Sequence, residues 1–277
     1  MKAYIANSGS GFRIEAHIGA EQALTDAKVH ILGRSGTSGG AMVAGLAAMG
    51  MPSQTMWNLA RSTNFNKFFG LNLTALPEFS YCTGNYLYKW LLKNTKGQAF
   101  EDTLYPLWVI ASNVSKQKRE VFSTNTQPQM LLAEAIRASV SVPFAYEPYV
   151  YQNSVYGDGG MCNNEPGAVL PIEHGVPRII LNVTSKNNPY ENEDLINSPL
   201  IRSEALINLM MTELNVLAIN LAIAQAPKQT FVVKIETPSN ITMLDTNLSK
   251  EQQVALYTAG QEATAALLKK IAHQFPN

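Results

Sequence analysis

Three short segments carry residue types at spacings that could do chemistry. Gly36-Thr37-Ser38-Gly39-Gly40 is a G-x-S-x-G pentapeptide, with an apolar run at 29–32 before it and small apolar residues at 41–49 after it. A strand turning straight into a helix leaves no room for neighbouring Cβ atoms and pushes the serine hydroxyl outward, which makes Ser38 a candidate nucleophile. The helix that follows favours negative charge at its N-terminus. Taken alone, the pentapeptide also fits an ordinary Gly/Ser turn. The second segment, Gly9-Ser10-Gly11-Phe12-Arg13, follows the apolar run 3–6, and its small residues expose backbone N–H groups that could hold an oxyanion. Its spacing is a near miss to a dinucleotide fingerprint, with Ile14 in the third glycine position and no acid ending the next strand. Neither glycine turn continues into the Lys and Ser/Thr of a phosphate-binding loop.

A serine nucleophile needs a base. Four histidines are present: His17 in a helical stretch, His30 in a strand, His174 in a polar loop and His273 near the C-terminus. Of these, His174 is the one placed for a Ser-His-Asp arrangement. The competitor is Asp158 in Tyr156-Gly157-Asp158-Gly159-Gly160, where flanking glycines let a carboxylate on a tight turn approach another backbone. Residue types alone leave both bases open, since Asp-Gly-Gly is by itself a common turn.

The elements around these segments must position them. Strand-like runs at 3–6, 29–32, 107–111, 121–122, 178–183 and 231–235 are separated by helical stretches at 15–27, 41–49, 129–139, 201–226 and 250–273. Such alternation predicts an α/β fold, a mostly parallel sheet covered by helices, with the two glycine turns on one edge of it. The polar segment 186–198 reads as a long surface loop, and without a linker or repeat the chain reads as one domain over 1–277. Eight of its 24 aromatics crowd between Phe65 and Trp90: Phe65, Phe68, Phe69, Phe79, Tyr81, Tyr86, Tyr88 and Trp90. Core packing accounts for them as well as a wall for an apolar ligand does.

Composition narrows the function classes. The chain has 277 residues, 46% hydrophobic and 15% charged, with 21 Lys+Arg balancing 21 Asp+Glu. A core of good size is affordable, disorder is excluded, and nucleic acid is excluded as a partner on charge grounds. Cys82 and Cys162 form no C-x-x-C pair, which fits a reducing compartment and gives no zinc site. No signal-like apolar segment precedes the first glycines, and 205–226 is interrupted by Asn208, Thr212, Glu213, Asn215, Asn220 and Gln225, so no membrane span is expected.

The glycine-rich turn, the G-x-S-x-G serine and the Asp-Gly-Gly aspartate, in that order, resemble the patatin-like phospholipase family. Connective sequence is similar too: Ala16-His17-Ile18-Gly19, Ala135-Ile136-Arg137-Ala138-Ser139 with Pro143, Asn163-Asn164-Glu165-Pro166, and the segment around Tyr257 and Gly260. The resemblance implies a patatin-like three-layer architecture and a serine acyl hydrolase of phospholipase A type, working through a dyad of Ser38 and Asp158 with an acyl-enzyme. It implies oxyanion donors among Gly9, Ser10, Gly11, Phe12 and Gly39, a basic, substrate-binding position at Arg13, and neither metal nor cofactor. Ser10 stands where the family carries its middle glycine, and Ile14 where it usually has another, which bears on the geometry of the turn. Expected partners are a phospholipid or other lipid ester and a peripheral membrane contact, in a cytoplasmic protein that meets membranes from outside. Phe65, Phe68 and Phe69 are expected to line or cap the acyl groove. The competing class is a lipid-binding module that keeps the fold without the chemistry.

Overall fold

The computed structural model describes residues 1–69, 82–143, 145–185 and 192–275. In chain order the elements are β1 (Lys2–Asn7), α1 (Ile14–Asp26), β2 (His30–Thr37), α2 (Gly39–Ala48), α3 (Ser53–Ser62), α4 (Asn85–Asn94), β3 (Leu107–Asn113), β4 (Lys118–Ser123), α5 (Leu132–Ser139), β5 (Tyr149–Tyr151), β6 (Ser154–Gly157), α6 (Gly160–Asn163), β7 (Arg178–Ser185), α7 (Asn192–Asn197), α8 (Pro199–Gln225), β8 (Thr230–Thr237) and α9 (Lys250–Ile271). Short 3₁₀ turns lie at Phe65–Phe69, Phe100–Asp102 and Pro166–Val169.

Strand β1 shows why the apolar runs are strands. Ala3 and Ile5 pack with Ala16, Ala20 and Leu24 of α1 and with Leu268 and Ile271 of α9. Tyr4 and Ala6 face the other way, toward Leu170, Ile180 and Ala222 of α8. A strand buried on both faces reads as a continuous apolar run rather than an alternation. Helices therefore cover both sides of the sheet, giving three layers.

Among the described residues the sheet has eight strands in the order β5-β6-β3-β2-β1-β7-β8, with β4 also paired to β3. The pairs β3–β2, β2–β1, β1–β7 and β7–β8 are parallel, whereas β4, β5 and β6 add antiparallel pairs at one side. Strand β2 runs further than its apolar residues suggest. Gly33 to Thr37 belong to the strand rather than to the turn, because β2 is central and takes its register from β1 and β3 on either side. Its Arg34 is buried there against Glu21 of α1, with Tyr105 as a further partner.

The register on β3 positions the site. β2 pairs with β3 up to Thr37 opposite Ile110, and β6 pairs with β3 at Tyr156 opposite Asn113 and Gly157 opposite Ser112. Since β4 occupies the other edge of β3 along this whole stretch, β2 and β6 lie on the same edge and approach from opposite directions. They end head to head around Ala111, and the next residue of each is Ser38 and Asp158.

Elsewhere the chain departs from its sequence reading. Residues 186–191 lie outside the described residues, and the rest of that polar segment is not all loop: 192–197 form α7, and Ser198 caps α8 by accepting the Ile201 N–H. Two helices went unread: α3, which precedes the aromatic-rich stretch, and α4, which overlaps its end. Leu87 and Leu91 of α4 are buried at helical spacing, and Gly84 supplies the left-handed turn that starts it.

Candidate active site

Ser38 sits at the β2–α2 junction with φ 51° and ψ −125°, a conformation that costs a non-glycine residue energy and persists where its surroundings dictate it. Those surroundings are visible. The Thr37 hydroxyl donates to the Asn163 carbonyl at 2.9 Å, the Ser38 N–H donates to Ser139 Oγ at 2.8 Å, and the Ser38 carbonyl accepts the Ala41 N–H at 2.9 Å. Gly39 has no freedom to carry a side chain, because a Cβ there would overlap the carbonyl oxygen of Gly11. The hydroxyl so presented donates to Asp158 Oδ2 at 2.6 Å. Ser38 is 6% exposed and Asp158 4%.

Asp158 is fixed at both its backbone and its carboxylate. Its N–H donates to the Ser141 carbonyl at 2.8 Å, its carbonyl accepts the Ser112 hydroxyl at 2.7 Å, and its Oδ1 accepts the Gly160 N–H at 2.7 Å. Burial pushes the carboxyl up to about 6, while the hydrogen bonds from Ser38 and Gly160 favour the ionised form. A carboxylate in that range is both ionised at neutral pH and basic enough to take a proton.

Backbone N–H accounting separates the five residues expected to form an oxyanion hole. Gly9 donates to the Asn164 carbonyl at 3.0 Å and Phe12 to the Met243 carbonyl at 2.8 Å, so both are occupied. The N–H groups of Ser10, Gly11 and Gly39 have no acceptor among the described residues. They belong to two turns that touch, the Ser10 and Gly11 turn lying against Gly39. The positive φ that this turn requires falls at Gly11, at +59°, and not at Ser10. Serine in the middle position is therefore sterically harmless.

Residues 5–171 match the patatin-like phospholipase family. The chain belongs to this family. It is 26% identical over 175 residues to the uncharacterized protein R571 of Acanthamoeba polyphaga mimivirus, covering 58% of this chain and 59% of that protein. Over 67 residues it is 37% identical to the probable lipid hydrolase 463L of Invertebrate iridescent virus 6, covering 24% and 23%. Against the lysophospholipase nte1 of Emericella nidulans it is 28% identical over 165 residues, 56% of this chain and 10% of that much longer one. The chain thus matches less than two thirds of each of these relatives. Two solved structures share the fold: VipD of Legionella pneumophila, with TM-score 0.62 and 15% identity over 97% of this chain and 67% of that one, and ExoU of Pseudomonas aeruginosa in its complex with SpcU, with TM-score 0.51 and 17% identity over 97% and 52%.

Other residues of this patatin-like chain take places the sequence left open. Arg13 is buried, its guanidinium lowered by burial to about 10. Its Nε donates to the Ser10 carbonyl at 3.1 Å and its Nη1 to Ser185 Oγ at 2.8 Å and Thr237 Oγ1 at 3.2 Å, tying the glycine turn to the ends of β7 and β8. Three of its donor contacts are thus within the chain, where a substrate-binding role would have them open to substrate. His17 is buried below the same turn, 2.8 Å from the Ser8 carbonyl, and burial lowers its imidazole to about 4. His174 is exposed and precedes β7. Because β7 runs parallel to β1 and β2, His174 lies at the sheet edge opposite Ser38.

Phe65 and Phe68 are 4% and 1% exposed. Their ring centroids lie 5.7 and 6.1 Å from that of Phe12 and 5.2 Å from each other. Neither ring is offered to solvent, and both pack as core beneath the glycine turn. The side chain of Phe69 and the whole of Phe79 and Tyr81 lie outside the described residues.

The sequence reading missed Ser139, Ser141, Ser112 and Asn164 as supports of the site. Their one signal was position, since Ser139 and Asn164 fall in stretches similar to the family. The helix expected at 201–226 is α8, but the sequence reading did not place it over α6, where Met211 Cε fills the space beside Gly160. On its outer side Leu206, Leu209, Met210, Val216, Leu217 and Leu221 are each more than half exposed. At 3.6 residues per turn they fall on one face, interrupted by Glu213 and Asn220. Among the described residues, no helix is long and apolar enough to cross a membrane and no His, Cys, Asp and Glu cluster could hold a metal.

Proposed function

We propose that the chain is a lipid acyl hydrolase of phospholipase A type, with residues 1–277 acting as one catalytic unit. The observation that carries this reading is the 2.6 Å hydrogen bond from Ser38 Oγ to Asp158 Oδ2, beside three backbone N–H groups without an acceptor. Ser38 Oγ attacks the ester carbonyl carbon as its proton passes to Asp158 Oδ2. The carbonyl electron pair moves onto oxygen, where the N–H groups of Ser10, Gly11 and Gly39 hold the charge. Collapse breaks the bond to the alcohol, which leaves with the proton from Asp158, and Ser38 keeps the acyl group. Water then attacks that ester and releases the acid. Arg13 supports the oxyanion turn from behind through its bond to the Ser10 carbonyl. The two cysteines are both free, which suits a reducing, cytoplasmic setting.

Lipid esters reside in bilayers, and the surface that suits one is the outer face of α8 rather than the buried Phe65 and Phe68. Its apolar stripe lies above α6, close to the dyad, and the chain's zero net charge favours an uncharged or zwitterionic surface. Glu213 near the middle of the stripe argues against a second copy as the occupant, since antiparallel pairing about a two-fold axis would bring two Glu213 carboxylates together.

Labelling with a fluorescent fluorophosphonate tests the activity. Wild type is expected to label and Ser38→Ala is not. Folded wild-type protein that fails to label would favour the binding-module class instead.

A further inference from the structure

Asn164 follows the Asp158 turn and is 4% exposed. Its backbone carbonyl holds the Gly9 N–H at 3.0 Å, while its side-chain Oδ1 is buried with no hydrogen-bond partner among the described residues. That oxygen fills the space where a Cβ on Gly9 would stand. It lies 3.0 Å from the position a Cβ on Gly160 would take, and Asp158 Oδ1 lies 2.9 Å from the same position. A bare carbonyl oxygen thus stands beside the turn that carries the base. Neighbouring donors are already committed, since the Gly9 N–H serves the Asn164 backbone and the Gly160 N–H serves Asp158 Oδ1. Buried acceptors without donors are unfavourable and call for an explanation. Among the described residues no donor reaches it, and a bound water would supply one.

Resting on the acyl-enzyme reading above, we propose that Asn164 Oδ1 is the second acceptor for the water that releases the acyl group. Once Ser38 is acylated it no longer donates to Asp158 Oδ2, and that oxygen is free to receive a water proton. A water has two hydrogens, and only one should be transferred. Asn164 Oδ1 holds the other, because a neutral amide carbonyl accepts a hydrogen bond without taking the proton. The water oxygen forms the new bond to the acyl carbon as its proton passes to Asp158 Oδ2. The tetrahedral oxyanion collapses, the bond from carbon to Ser38 Oγ breaks, and Oγ recovers the proton from Asp158 while the carboxylic acid leaves. Asn164 is a positioning residue in this step, and the first half of the reaction does not use its side chain.

The test follows p-nitrophenyl butyrate hydrolysis by stopped flow, with intact-mass spectrometry of the protein during turnover. Asn164→Ala is expected to release the first equivalent of nitrophenol at the wild-type rate, then turn over at least tenfold more slowly, with an added butyryl mass on Ser38. Asn164→Asp keeps the acceptor and removes the N–H donors, and is expected to recover turnover to within several-fold of wild type. The added carboxylate raises the pKa of Asp158, so rates are compared on the alkaline plateau. Unchanged fluorophosphonate labelling of both variants shows that the turn survives. A first-turnover rate falling in proportion to steady-state turnover would overturn the proposal, and so would an aspartate variant as slow as the alanine one. Wild type that neither labels nor turns over would instead remove the acyl-enzyme reading itself.

Discussion

The head-to-head ends of β2 and β6 and the outer face of α8 lie on either side of α6, and they use buried and exposed chemistry in opposite ways. At the strand ends, polar groups are buried and nearly every one has a partner: Ser38 with Asp158 and Ser139, Asp158 with Ser112, Ser141 and Gly160. Along α8, Leu206, Leu209, Met210, Val216, Leu217 and Leu221 stand exposed, with nothing over them among the described residues. The first region is specified atom by atom, and small displacements are expected to remove its function. The second depends on summed apolar area and tolerates rearrangement. If α8 meets a bilayer as proposed, chemistry and surface attachment are separable by mutation.

The widest separation comes from the dyad. Ser38→Ala and Asp158→Asn are each expected to lower turnover on any ester by on the order of 10⁴–10⁶-fold, with the double variant no worse than either, because the residues act as one unit. Steady-state assays with a soluble ester, alongside thermal melts showing a folded protein, check this. Near-wild-type turnover by folded Asp158→Asn would break the assignment of the base.

Next in size is the contrast between buried and exposed apolar residues. Phe68→Ser removes a ring packed against Phe12 and Phe65 and should cost about 3–5 kcal/mol in urea unfolding, with activity lost on every substrate alike. Leu209→Ser combined with Leu217→Ser should leave stability within about 0.5 kcal/mol. The same pair is expected to lower hydrolysis of phosphatidylcholine vesicles roughly tenfold, by the loss of about 1.4 kcal/mol of apolar contact, while hydrolysis of a soluble ester holds. Equal effects on both substrates would make α8 a packing element and end the contrast.

A smaller effect is the pH dependence. With Asp158 raised to about 6, kcat/KM should climb through that pH as the carboxylate ionises and level off above it. Stability runs the other way. A carboxyl raised from 3.8 contributes most while protonated, below about 3.8, and that contribution fades as pH rises through about 6. Asp158→Asn should therefore melt higher than wild type at pH 8 and differ less at pH 4. The smallest effect belongs to His174→Ala, at the far edge of the sheet, for which kcat should stay within about twofold of wild type, where a triad predicts losses of several orders of magnitude.

How far the sequence reached depends on whether a feature is local. Gly36 to Gly40 were legible by their spacing as a strand turning directly into a helix, although what bars a Cβ at Gly39 and Gly40 is packing against Gly11 and Ser8. The runs through β1, β3 and β7 were legible because strands buried on both faces are apolar throughout, and β8, at the sheet's edge with Lys234 and Glu236 exposed, through its shorter run Phe231 to Val233. Asp158 was legible as a candidate that the resemblance preferred to His174, and the parallel strands put His174 at the opposite end of the sheet from Ser38. Tertiary structure alone decided the rest. Only pairing along one edge of β3 sets Ser38 against Asp158, and only Met243, far along the chain, removes the Phe12 N–H from the candidate oxyanion donors. An aromatic residue and a leucine in the sequence carry no record of which face another element will cover, so Phe68 went to the core and Leu217 to the surface for reasons that exist only in the packed chain.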